Sequence, residues 1–291
     1  MADGLVTSYV ASATAMLGKA NEAGFSSVAN AINSVAIAAG TFAFILAIFN
    51  QFFQIHYVSP AKILALMIKL ILLSYFGMRW SNFSIIAASV ESGMNSIADS
   101  LLHTITSGID TSPSLAGSID AILSRMAMAA NKALAHTGWV AGAFLEILVV
   151  TCLALLGAAS ALIIIYSKIM ISLFIMIAPL FICCLIFERT SDYFYRWLQG
   201  AITYALYPVI TAVVMALIAA ITDSYMRVVQ NSVMSTIAEF IPFITVIVIA
   251  IIVILFIPVI VAGLSGMIQH VSPLAIASPL KSFIPKSQRR P

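Results

Sequence analysis

Few side chains in this sequence have the types and spacing that catalysis or metal binding requires. The sequence contains no zinc-protease histidine pair, no nucleophilic serine between spaced glycines and no glycine-rich phosphate loop. Its three cysteines, Cys152, Cys183 and Cys184, lie in apolar runs without further ligands at metal-binding spacing. We therefore predict that the chain is not an enzyme and that it holds neither a metal ion nor a cofactor.

Two ionisable residues inside apolar runs, Lys69 and Glu146, are the remaining candidates for chemistry. A charged side chain at the centre of a bilayer costs on the order of 3 kcal/mol, so the two residues could form an ion pair or a polar patch on the wall of a pore. Alternatively, Lys69 extends its amine to the membrane surface, and Glu146 lies within about two helical turns of that surface beside Trp139. Both interpretations stay open, and the first would suit a stand-alone transporter or channel for a small solute.

The elements that must position these residues are membrane helices. Of the 291 residues, 62% are apolar and 9% are charged, whereas soluble chains average about 45–50% apolar and ~25% charged residues. A soluble protein of this length would need many more polar side chains to cover its surface. We predict an all-α, polytopic membrane protein with five or six transmembrane helices plus amphipathic helices.

Uncharged runs and helical periodicity divide the chain into five segments. They are an N-terminal amphipathic helix (1–30), two transmembrane helices (31–79), a polar helical hairpin region (80–138), three or four further transmembrane helices (139–268) and a basic tail (269–291).

The polar helical hairpin region contains two apolar stripes on either side of a turn signal at residues 111–114. The first stripe includes Val90 and Ile97, and the second includes Ile119 and Met126, each at helical spacing. We expect both stripes to pack on the helix bundle, on a sister subunit or on a partner protein.

The number of spans depends on one short stretch. Only Ser167 and Lys168 separate a run from Trp139 to Tyr166 from a run from Ile169 to Phe187, and neither residue is a strong helix breaker. The chain has five spans if the two runs form one helix and six if they form two. The distribution of Lys and Arg favours six, with residues 80–138 in the cytoplasm, because cytoplasmic flanks are enriched in basic residues.

Three short motifs between residues 168 and 204 provide the most specific signal. They are Ala178-Pro179-Leu180-Phe181, Phe187-Glu188-Arg189-Thr190 and Trp197-Leu198. Together they resemble the signature of the VirB/TrbL-type polytopic inner-membrane subunit of type IV secretion systems. In that signature an apolar helix with a small-residue–Pro–Leu motif leads into a short acidic–Arg–Thr turn, and a tryptophan lies near the start of the next helix.

The residues of this stretch also predict its local structure. Thr190 and Ser191 can cap the following helix, with Asp192 in its first turn. Two further charged residues, Glu188 and Arg189, join Asp192 and Arg196 in a charge-balanced cluster where two spans would meet water. We expect Arg189 and Trp197 to hold the two helices together.

The resemblance implies a non-enzymatic scaffold or channel subunit in the bacterial inner membrane, which supports DNA or protein translocation and pilus assembly. It implies that the partners are pilus, core-complex and other inner-membrane subunits, further copies of the chain, membrane lipid and the translocated DNA or protein. It also implies that residues 80–138 are periplasmic and that the tail is cytoplasmic. We adopt the periplasmic placement against the charge distribution, because long segments cross membranes largely regardless of charge.

Overall fold

The computed structural model describes residues 4–53, 60–105, 114–134, 139–229 and 241–264. These residues form α-helices, with a π-helical turn at Leu73–Gly77 and short breaks within the described ranges. The α-helices are α1 (Leu5–Phe53), α2 (Pro60–Leu72), α3 (Trp80–Ile105), α4 (Leu115–Leu134), α5 (Trp139–Met176), α6 (Ala178–Cys184), α7 (Ser191–Val229), α8 (Ile241–Leu255) and α9 (Ile257–Leu264). The predicted basic tail, residues 269–291, and the turn signal up to residue 113 lie outside the described residues.

Three helices of the described chain are long and apolar enough to cross a membrane. They lie within α1, α5 and α7, and two bent helix pairs pass the same test. One pair joins the segment from Ile63 to Gly77 with α3 at 89°, and the other joins α8 with α9 at 47°. The described residues therefore hold three spans, or up to five if each bent pair is one span, and the prediction of an all-α polytopic membrane protein is confirmed.

Helix α1 joins two segments that the sequence pattern separates. The predicted amphipathic helix (1–30) and the first transmembrane helix after it form one helix of 49 residues. The helix continues from one segment into the other because the stretch from Ser26 to Ala31 contains no glycine or proline, so nothing in it ends a helix. The half of α1 that follows Ala31 exposes large apolar side chains on several sides, among them Phe42, Phe49 and Phe52.

Helix α5 likewise joins the two runs on either side of Ser167 and Lys168. It is 38 residues long and continues through both residues to Met176. The helix then breaks at Ile177, and α6 begins with Pro179 in its first turn. Proline is tolerated there because the backbone N–H groups of a first turn have no partner within the helix. The six-span alternative is therefore not supported, and the five-span alternative agrees with the upper count.

Helices α5 and α7 form the centre of the bundle. Helix α5 packs against α1, α4, α7 and α8, while α7 packs against α3, α5 and α8. The larger apolar core lies along these contacts and includes Leu156, Met215 and Ile247, each almost fully buried. A second core surrounds α6 and includes Phe25 and Trp197.

The two helices of the predicted hairpin region pack on the bundle rather than mainly on each other. Helix α3 lies along α7, and α4 packs on α5 and α7. The stripe on α4 is buried as expected, with Ile119 and Met126 in the core. The stripe on α3 is only partly buried, because Met94 and Ile105 pack against the core whereas Val90 and Ile97 are about half exposed.

Candidate functional site

The motif turn is the segment from Ile177 to Trp197, which joins the end of α5 to the start of α7 through α6. Within it, the Thr190 hydroxyl donates hydrogen bonds to the backbone oxygens of Cys184, at 2.6 Å, and Phe187, at 3.3 Å. The Ser191 hydroxyl donates to the backbone oxygen of Glu188 at 2.8 Å. Both hydroxyls therefore donate to backbone oxygens of the preceding turn. The capping prediction requires them instead to accept hydrogen bonds from the amides of α7, and the described residues do not show this.

Trp197 ties together the three helices of the motif turn. Its side chain is 8% exposed, and its indole Nε1 donates a hydrogen bond to the backbone oxygen of Phe174 on α5 at 3.0 Å. Its ring stacks on Phe181 of α6 with the centroids 6.0 Å apart, and it also contacts Phe194 at 5.6 Å. Pro179 is buried beside these rings at the start of α6. The motif is thus a packed joint in which Trp197 is the central side chain.

The charged residues of the motif turn do not take part in this joint. Glu188, Arg189, Asp192 and Arg196 are all exposed. The two ion pairs found within the described parts of the chain lie elsewhere. Asp192 does lie in the first turn of α7, where a carboxylate complements the helix dipole. Of the two residues expected to hold the helices together, Trp197 makes contacts between them, whereas Arg189 is exposed and belongs to neither of these ion pairs.

Lys69 and Glu146 are not brought together either. Lys69 is half-buried in the last turn of α2, and Glu146 is exposed near the start of α5. Neither residue belongs to an ion pair between described residues. The structure therefore does not show the intramembrane ion pair that the sequence allowed.

An ion pair that sequence reasoning missed links α5 to α3. The Lys168 Nζ lies 2.6 Å from the Glu91 Oε1, and the two side chains are 16% and 45% exposed respectively. Lys168 lies inside the span of α5, not in a turn between two spans. The available signal was that Lys168 is the only charged residue between Glu146 and Glu188. A charge isolated in so long an apolar run needs a partner.

A cavity of about 550 Å³ opens beside this ion pair. Its walls come from the first turns of α1 and from α3, the start of α4, α5 and α7. The polar side chains that line it include Thr7, Thr14, Glu91, Asn95, Asp99 and Lys168. The Asp99 Oδ1 is buried and has no hydrogen-bond partner within the described structure. Three polar side chains of α3, Glu91, Asn95 and Asp99, thus line this cavity, whereas Val90 and Ile97 do not.

Asp120 of α4 caps the first turn of α1 from a distant part of the sequence. Its Oδ1 accepts a hydrogen bond from the Val6 amide at 3.1 Å, and its Oδ2 accepts from the Thr7 amide at 2.8 Å and the Thr7 hydroxyl at 2.7 Å. These amides have no partner within their own helix, and the carboxylate also complements the helix dipole. A side chain at Gly4 would overlap this carboxylate, because an added Cβ would lie 2.2 Å from the Asp120 Cγ.

We expect Asp120→Ala to release the start of α1 from α4. Loss of an N-terminal cap costs about 0.5–2 kcal/mol, and local opening exposes the amides of that turn to exchange. Hydrogen exchange in detergent should therefore become faster in the first two turns of α1, while α7 is unaffected. Ser124→Ala, which removes an exposed side chain on the same helix, is the control. Unchanged exchange in Asp120→Ala would show that the cap is dispensable.

Comparison with known proteins finds one matching family model, described as TrbL/VirB6 plasmid conjugal transfer protein. The match covers residues 57–257, a range that includes the motif turn, the Lys168–Glu91 ion pair and the helices that line most of the cavity. No curated protein matches the chain.

Proposed function

We propose a function for this chain from its family membership. The chain belongs to the TrbL/VirB6 plasmid conjugal transfer protein family, and it is a multi-pass membrane subunit of a conjugal transfer or type IV secretion apparatus. Our proposal is that it acts as a scaffold or channel subunit in the bacterial inner membrane. In that role it supports DNA or protein translocation and pilus assembly. The extent of the family match, residues 57–257, is the observation that carries this proposal.

The architecture supports a positional role for the subunit. Helices α5 and α7 form a packed centre, while much of α1 and the residues Ile85 and Ile97 of α3 expose large apolar side chains. Such surfaces suit contact with lipid and with neighbouring membrane subunits. We further propose that the chain assembles with copies of itself and with pilus and core-complex subunits, while separate ATPases supply the energy.

Deletion of the gene tests the proposal directly. We expect conjugal transfer to be lost and to return when the wild-type chain is supplied from a plasmid. Pilus number, counted by electron microscopy, and transfer frequency should be measured in the same cells. Loss of both would support a shared platform, whereas normal transfer in the deletion strain would overturn the proposal.

Photocrosslinking tests which proteins the subunit contacts. Two methionines on α4 provide a matched pair, since Met128 is 58% exposed and Met126 is 3% exposed. A crosslinking residue at position 128 should capture other secretion subunits, identified by mass spectrometry, and position 126 should capture none. Capture of no secretion subunit from position 128 or from other exposed positions would argue against membership of the assembled machine.

The family resemblance implies that residues 80–138 are periplasmic and residues 269–291 cytoplasmic. Because α3 belongs to a bent helix pair that passes the span test, our proposal places α4 on the periplasmic side and the tail on the cytoplasmic side of the membrane. The native cysteines would first be replaced by serine, and a single cysteine placed at Asn131, which is exposed on α4. A membrane-impermeant maleimide should then label this residue in cells whose outer membrane has been made permeable. Labelling only after the inner membrane is lysed would place this part of α4 in the cytoplasm.

A stand-alone transporter or channel for a small solute is the second candidate. The observation that favours it is the 550 Å³ cavity beside the Lys168–Glu91 ion pair, since charged side chains within membrane helices often mark transport pathways. Purified protein in liposomes would then take up a solute by itself, and Lys168→Leu should reduce that uptake. Absence of uptake across a broad panel of solutes would favour the secretion subunit.

A further inference from the structure

A second cavity lies on the outer side of the bundle, next to the motif turn. We call it the apolar groove, and it has a volume of about 400 Å³ between α3, α5, α6 and α7. Its lining includes Ala87, Val90, Phe174, Trp197, Ala201 and Ile202. Glu91 is the one charged residue among the described residues that line it, and that carboxylate is paired with Lys168. The lining of the groove is therefore almost entirely apolar.

The groove is continuous with apolar surface that faces away from the bundle. Ile86 and Val90 on the α3 side are 44% and 46% exposed, and Leu198 and Ile202 on the α7 side are 38% and 45% exposed. Helix α7 is a candidate span over most of its length, and α3 belongs to a bent helix pair that passes the same test, so we place this surface among the hydrocarbon chains of the membrane. Membrane lipid therefore has access to the groove from the side of the helix bundle.

The dimensions and chemistry of the groove distinguish between possible occupants. A helix about 10 Å in diameter would fill some 400 Å³ with little more than one turn, so the groove would enclose only about one turn of a partner helix. An extended peptide would leave its backbone amides unsatisfied, because the lining offers them almost no free hydrogen-bond partner. A flexible hydrocarbon chain has neither difficulty.

We propose that the apolar groove binds one acyl chain of a membrane phospholipid. The chain enters between α3 and α7 and lies against the ring of Trp197. Bound there, it packs on the joint of α5, α6 and α7 and on the inner edge of α3. This inference rests on the membrane placement within the proposed function, but it does not depend on a role in conjugation.

Fluorescence quenching by brominated phospholipids tests this proposal, because bromine quenches tryptophan only on close approach. Trp80→Phe and Trp139→Phe leave Trp197 as the single tryptophan. In vesicles of phosphatidylcholine with brominated acyl chains, we expect strong quenching of Trp197 although its side chain is 8% exposed. Filling the groove with the double substitution Ala87→Phe and Ala201→Phe should abolish most of that quenching.

A matched control and a second measurement complete the test. Ala88→Phe adds the same ring to an exposed neighbouring position of α3 outside the groove, and it should leave the quenching unchanged. Native mass spectrometry should show one phospholipid retained by the single-tryptophan protein and by the control, and none by the groove-filled variant. Circular dichroism would confirm that all three proteins keep the same helix content.

The possible outcomes separate this inference from the proposed function. Absence of quenching in the single-tryptophan protein, or equal quenching in the groove-filled variant and the control, would overturn the acyl-chain site. A dimer mass in place of a lipid mass, with Trp197 unquenched, would overturn it in favour of a second copy. Normal conjugal transfer in the deletion strain would overturn the secretion role and leave the quenching result standing.

Discussion

Replacement of Glu91 by leucine is expected to destabilise the protein far more than removal of an exposed carboxylate such as that of Glu146. The substitution leaves the Lys168 amine, 16% exposed, without its partner inside the span of α5. Breaking a fully buried ion pair costs about 3–5 kcal/mol, and a lysine at the centre of a membrane helix costs about 2.5–3.5 kcal/mol. Because Glu91 is itself 45% exposed, we expect a loss of roughly 2–3 kcal/mol.

Two further variants show whether this loss comes from the ion pair. Lys168→Leu should cost less, because the Glu91 carboxylate that remains is closer to solvent. The double variant Glu91→Leu with Lys168→Leu should recover most of the stability, since an apolar pair of similar volume can replace a buried ion pair. Thermal unfolding in detergent measures all three, with Glu146→Leu as a control that removes an exposed carboxylate from α5. Additive losses in the double variant would mean that the two side chains do not interact.

The partner of Lys168 could not be predicted because it lies 77 residues away in the sequence. A lone charge between two apolar runs has the same pattern whether it marks a turn at the membrane surface or a buried ion pair within one helix. Only the packing of α3 against the bundle distinguishes the two. Asp120 presents the same difficulty, since its capping of Thr7 spans 113 residues.

The exposed residues Val90 and Ile97 of the α3 stripe show a second limit of sequence patterns. Periodicity identifies two faces of a helix, but in a membrane protein both the core and the lipid are apolar. Val90 and Ile97 therefore satisfy the same pattern whether they face the bundle or the bilayer. The polar face decides the orientation, because Glu91 finds its partner in the interior.

Composition and local motifs were better guides. The low charge content predicted the all-α membrane architecture, and Asp192 lies in the first turn of α7 as its position after Thr190 and Ser191 predicted. The break at Ile177 was not predicted, because Pro179 lies inside an apolar run that reads as one helix. The motif also drew attention to Trp197, although its contacts with Phe174 and Phe181 become visible only in the folded joint.

Replacement of Trp197 by alanine is the second change for which we expect a large effect. The substitution removes a buried ring from between α5, α6 and α7 and deletes the hydrogen bond to the Phe174 backbone. Truncation of a buried tryptophan costs about 3–5 kcal/mol, so the thermal unfolding temperature in detergent should fall sharply. Conjugal transfer should fall with it, because the start of α7 is no longer fixed against α6.

Three companion variants separate the roles of the ring, the N–H group and the exposed charges. Trp197→Phe retains an aromatic ring but loses the hydrogen bond, and should cost about 1–3 kcal/mol through partial loss of volume and of the N–H contact. Tyr193→Ala removes a side chain that is 58% exposed on the same helix, and should change stability by at most about 0.5 kcal/mol. Arg189→Ala should likewise leave stability unchanged, so any loss of transfer in that variant would report a contact with a partner subunit. If Trp197→Ala were as stable as Tyr193→Ala, the packed joint would not be what fixes α7 to α5 and α6.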